Sequence, residues 1–122
     1  MTEIYRTTIT EVGPLAASFI SEGMFVTFGT DAPDALREFC FIVSSAKTTS
    51  TIEVGHRLVI DGHPFAITAI GKVAQHNLDA LGHVTVNVDG ASSSKLGGAI
   101  HIGAGANPPA PVVGSVLVIE AP

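Results

Sequence analysis

An all-β fold, a single small barrel or sandwich of about eight short strands with one or two helical turns, is what this sequence predicts. Three observations lead there. Apolar and polar residues alternate with period two in stretch after stretch, the 3.6-residue period of an amphipathic helix is nearly absent, and each alternating run stops at Gly, Asp or Ser. With 122 residues, 46% of them hydrophobic and 14% charged, the chain can bury one self-sufficient core, so residues 1–122 are expected to form a single domain.

The elements follow in order. Ile4 to Val12 alternates and is rich in Thr, Ile and Tyr, side chains that suit a pleated, half-buried surface. Met24 to Phe28 and Phe39 to Val43 are the next strands. Between them, Asp31 to Arg37 predicts a helical turn with a capping Asp and an early Pro. Arg57 to Ile60 and Phe65 to Val73 are joined through Asp61-Gly62, a pair suited to a tight hairpin turn. Gln75 to Leu81 predicts the second helical turn, ended by Gly82. His83 to Val88, Ala99 to Ile102 and Ser115 to Ile119 complete the strands. The Gly-, Ala- and Pro-rich segment from Gly97 to Pro111 reads as a loop crossing the barrel. No internal repeat of fixed period is present.

Composition excludes several functions. A net charge of −5, with six scattered Lys and Arg, is wrong for gripping a phosphate backbone, so no nucleic-acid partner is expected. The single cysteine cannot form an internal disulfide and suits a reducing cytoplasm. Residues 1–6 lack the basic start and apolar core of a signal peptide, and no apolar run nears the roughly 18 residues of a membrane span. A cytoplasmic location without membrane insertion is the expectation. The five histidines show no HxH or HxxxH pairing, so no metal is expected; nor is there a phosphate loop of the Walker type or a GxSxG elbow. No cofactor is implied.

Two strands carry chemistry on their polar faces. In 83–88 the valines face the core while His83, Thr85 and Asn87 face the other way; in 99–102 His101 stands opposite the isoleucines. The two rings could line a shared groove, or both could be satisfied strand residues. His56, His63 and His76 lie beside Gly, Pro or turn residues and read as surface positions. Cys40 reads as a small buried hydrophobe, because no basic neighbour lowers its pKa.

Several stretches carry a resemblance. They are Ile4-Tyr5-Arg6-Thr7-Thr8-Ile9-Thr10, Phe25-Val26-Thr27-Phe28 and Ala32 to Ile42; then Thr68 to Ala74, Asn77-Leu78 and Leu81-Gly82-His83-Val84-Thr85; and last Asp89-Gly90, Ile100-His101-Ile102 and Gly114 to Leu117. Together they resemble, over essentially the whole chain, the glucitol/sorbitol-specific IIA component of the bacterial sugar phosphotransferase system. The resemblance implies a small all-β protein that takes phosphoryl from the histidine-containing phosphocarrier protein and passes it to the IIB/IIC permease components. Imidazole suits such a relay, being nucleophilic near neutral pH and forming a P–N bond that still donates. Self-association is also compatible with the sequence.

The same resemblance puts the acceptor histidine directly after Cys-Phe-Ile, and here that position is Val43. Valine has no lone pair to phosphorylate. Val43 shares a strand face with Phe41 and Ser45, while Cys40 and Ser44 point the other way. Cys40, Ser44, Ser45 and Thr85 are expected around the site, but a serine ester at Ser45 would hold phosphoryl too firmly to pass it on. His83 and His101 are the imidazoles that could inherit the role. The chain is thus expected to be a relay component or, alternatively, a non-phosphorylatable regulatory or binding relative.

Overall fold

The alternating runs pair edge to edge until no free edge remains. In the computed structural model, which describes residues 1–103 and 110–122, the strands are β1 (Thr2–Val12), β2 (Met24–Gly29), β3 (Phe41–Val43), β4 (Arg57–Ile60), β5 (His63–Ile70), β6 (Val84–Asn87), β7 (Ala99–Ile102) and β8 (Val116–Ala121). They close into a barrel in the order β1-β3-β2-β6-β7-β5-β4-β8. The pairs β2–β3 and β6–β7 are parallel and the remaining pairs antiparallel. Closure gives each strand a neighbour on both sides, so none is left at an edge.

Inward-facing residues fill the barrel. Phe25, Phe41, Val43, Ile60, Ile67, Val84, Val86, Ile100, Ile102 and Ile119 belong to one buried cluster, with Val88 packed half-buried against it. The core positions expected from the valine and isoleucine alternation of β6 and β7 are therefore met. A second, smaller cluster of Phe28, Ala32, Cys40 and Ile42 lies on the other face of β2 and β3. Ala32, in the turn before α1 (Asp34–Arg37), belongs to it, as does Cys40, just after that helix.

Several boundaries differ from the sequence expectation, each for a local reason. β3 starts at Phe41, not Phe39, because the amides of Phe39 and Cys40 donate to the carbonyls of Leu36 and Arg37 and prolong the α1 turn. No Asp caps that helix: its N-cap is Pro33, in an extended conformation, and no side chain bonds the first amides. β5 ends at Ile70 because the Gly71 and Val73 amides bond to Ala99 and Gly97, bending the chain into α2 (Ala74–Leu81). A 3-10 helix at Ala16–Glu22, ended by Gly23 in the left-handed region, had no periodic signal in the sequence. The 97–111 segment gives up its start to β7, and residues 104–109 of that expected loop lie outside the described residues. The Asp61-Gly62 turn is as expected: both residues have positive φ, 47° and 84°, the two-residue hairpin geometry that matches strand twist.

Candidate functional site

Val43 ends β3, paired with Ile9 of β1 on one side and Gly29 of β2 on the other. Its side chain is 1% exposed and belongs to the barrel core with Phe41, while Cys40 and Ile42 belong to the outer cluster. The strand-face assignment made from alternation therefore holds for Cys40, Phe41 and Val43, whereas Ser44 and Ser45 lie beyond the end of β3 and Ser45 is exposed. Two glycines bracket the position. A Cβ on Gly29 would meet the Leu81 carbonyl at 2.7 Å, and one on Gly82 would lie 2.9 Å from the Gly29 amide and 3.0 Å from Val43 Cγ2. Gly82 is also the left-handed cap of α2, with φ 66°, so both sterics and backbone conformation require glycine there.

A pocket of about 110 Å³ opens beside this bracket, lined by Gly29 to Asp31, Ser44 to Ala46 and Asp79 to Gly82. The segment after β3 is tied down by α2. Thr48 donates from its amide to Asp79 Oδ1 at 2.7 Å and from its hydroxyl to Oδ2 at 2.8 Å, and Gln75 donates to Thr48 Oγ1 and the Ser50 carbonyl. Ser45 is exposed at the pocket, whereas Ser44 turns toward Thr7, with 3.0 Å between their hydroxyls. The pocket's charge is acidic: Asp31 and Asp79 line it, and among the described residues no Lys, Arg or His does. An anionic phosphoryl group gains no cationic partner there.

The two histidines do not come together. His83 lies on the outer face, its ring 4.5 Å from that of Phe28 and its Nδ1 3.0 Å from the Thr27 carbonyl. Because a carbonyl only accepts, Nδ1 carries the proton and Nε2 is the lone-pair nitrogen of the neutral ring. His83 is close to Val43 in the fold but on the opposite face of the sheet, since Phe28 belongs to the outer cluster and Val43 to the core. His101 pairs with Asn87 across β6–β7, four residues along from His83, or roughly 13 Å of strand rise. Its ring is buried, with Nδ1 2.9 Å from Asp89 Oδ1 and Nε2 2.9 Å from Ser94 Oγ. The shared groove expected of these two rings is thus replaced by two separate environments. Thr85, half-buried, lies between them on β6.

Two further readings change. His56, expected at the surface, is buried, because its turn folds back so that Nδ1 accepts the Glu53 amide at 3.2 Å. Cys40 is a buried hydrophobe as expected, and burial raises its thiol pKa. Asp89 is held below the ordinary carboxylate range, first by the Ala91 amide and then by the His101 ring. The Asp89–His101–Ser94 chain and the glycine bracket were not found from sequence. Both join residues distant in the chain, and no spacing rule links them.

The comparisons with known proteins agree with this architecture. Residues 4–118 match the family model of the glucitol/sorbitol-specific IIA component of the phosphotransferase system. The glucitol/sorbitol-specific EIIA components of Shigella flexneri and Escherichia coli K12 are each 39% identical over 120 residues, covering 98% of this chain and 97% of theirs. The crystal structure of a phosphotransferase-system IIA component from Enterococcus faecalis V583 superposes with a TM-score of 0.79 at 24% identity, over 95% of this chain and 99% of that one, which shows the fold alone.

Proposed function

The chain belongs to the glucitol/sorbitol-specific IIA family of the phosphotransferase system, and from that membership we propose that it docks in that system as a IIA-like component in which residue 43 does not accept phosphoryl. The observation that carries the second half is the environment of Val43. Two methyl groups, 1% exposed, occupy the position, between a glycine bracket and a pocket without a cation. Residue 43 itself offers no atom that can attack phosphorus.

The neighbours do not supply a substitute in line. Ser45 is exposed at the pocket, but its ester would not pass phosphoryl on. Both ring nitrogens of His101 are engaged. Among the described residues His83 Nε2 has no hydrogen-bond partner, yet the ring faces the other side of the sheet. A nucleophile must lie within about 3–3.5 Å of the phosphorus and in line with the leaving nitrogen, and small misplacements slow transfer by orders of magnitude. A partner that docks over the end of β3 would not present its phosphoryl group to either ring.

The family's partners, the histidine phosphocarrier protein and the IIB component, are on this reading partners of docking, and the acidic surface and pocket rim are their contact. Calorimetric titration of the chain with each purified partner tests it. Saturable binding to at least one is expected. Absence of binding to both would remove the docking reading and leave only the fold in common.

A further inference from the structure

The loop between β6 and β7 carries three serines in a row, Ser92, Ser93 and Ser94, and among the described residues only the third meets a histidine. Asp89 begins this loop. Its Oδ1 accepts the Ala91 amide at 3.0 Å, which fixes the carboxylate, and lies 2.9 Å from His101 Nδ1. A carboxylate can only accept, so Nδ1 carries the proton and the neutral ring turns the Nε2 lone pair toward Ser94 Oγ, 2.9 Å away. The ring is 8% exposed, while Ser94 is half-buried and can be reached from solvent. Nucleophile, base and orienting carboxylate thus stand in hydrogen-bonded order, the arrangement that activates a hydroxyl on unrelated folds. We propose that Ser94, with His101 as base and Asp89 as orienting carboxylate, forms an activated-serine site that reacts with small activated acyl esters.

The step balances without any added reagent except water. Ser94 Oγ bonds to the ester carbonyl carbon as its proton passes to His101 Nε2, and Asp89 holds the resulting imidazolium. Collapse breaks the bond to the leaving alkoxide or phenoxide, which takes the proton from Nε2. Water, giving a proton to Nε2, then attacks the acyl carbon, releases the acid and restores the Ser94 hydroxyl. The amides of Lys95 and Leu96, next to the nucleophile, donate to no protein acceptor among the described residues and are free to meet the oxyanion. The Leu96 carbonyl, 2.7 Å from Ser94 Oγ, competes with Nε2 for the one hydroxyl proton, which keeps this a slow site.

The adjacent serines are internal controls. The full chain, treated with a fluorophosphonate and with p-nitrophenyl acetate, should carry one phosphonyl label per molecule, mapped by peptide mass spectrometry to Ser94 and not to Ser92 or Ser93. Ser94→Ala should abolish the label and the acyl burst. Asp89→Asn, with an unchanged far-UV spectrum, should slow labelling at least about 100-fold, because an amide in place of the carboxylate favours the wrong tautomer. No labelling, equal labelling of the three serines, or unchanged ester turnover in folded Ser94→Ala would overturn the proposal. A merely structural Asp89–His101 clasp would shift the melting temperature in Asp89→Asn and leave the label distribution flat.

Discussion

At the scale of single residues, position 43 is defined as much by its neighbours as by its own side chain. Gly29 and Gly82 leave room beside it that any larger residue would fill. Gly82→Ala should therefore destabilise the protein by about 1–3 kcal/mol. A Cβ there would press on the Gly29 backbone and Val43 Cγ2, and φ 66° is itself unfavourable for alanine; an unchanged denaturant midpoint would show that the bracket is loose. Tyr5 supplies a pH signature. Burial, opposed by the neighbouring Thr7 hydroxyl and reinforced by the charge of Asp79, pushes its phenol up to about 12. The folded state thus holds this proton more tightly than the unfolded chain, which titrates near 10. The stabilisation is complete below pH 10 and is lost as the pH climbs through 12, by roughly 2–3 kcal/mol. Denaturation followed from pH 9 to 12 should show that loss in the parent chain and a flatter profile in Tyr5→Phe. The residue-scale facts were partly legible in advance. The face of Val43 followed from alternation, but the burial of His56 did not, because a turn and not a strand decides it.

Elements carry the strongest sequence signal and the clearest failures. All eight strands were legible because period-two patterning is local and each run is punctuated by a turn residue. Their ends were less so. Phe39 and Cys40 have strand-like side chains, but their amides are captured by the α1 turn, and no side-chain pattern reports a backbone capture. The 3-10 helix at Ala16–Glu22 is too short to show a period. β6 offers a direct check. Val86 is buried at 2% exposure in the core, so Val86→Asp places an unpaired charge there and should lower stability by several kcal/mol, on the order of 3–5. A melting temperature within a degree of the parent would contradict the inward assignment of β6.

For the whole molecule, closure of the barrel explains how the surroundings of position 43 are held in place. β3 is only three residues long, yet it is held by β1 on one side and β2 on the other, and α2 is packed against its end through Gly82. The scaffold of position 43 thus belongs to the fold and not to the side chain that fills it. That separation also limits what a sequence could disclose. The family was legible from stretches spread along the chain, whereas the distance between His83 and His101 depends on the register of β6 against β7, which no local pattern sets. The central claim is that transfer stops at this chain because residue 43 offers no nitrogen. It is tested most directly by incubating the parent protein and Val43→His with the general phosphotransfer proteins and labelled phosphoenolpyruvate, then mapping acid-labile label. The account predicts no label on the parent at relay rates and label on residue 43 of a folded Val43→His variant; label on the unmodified protein at His83 or His101, at rates typical of a relay, would contradict it.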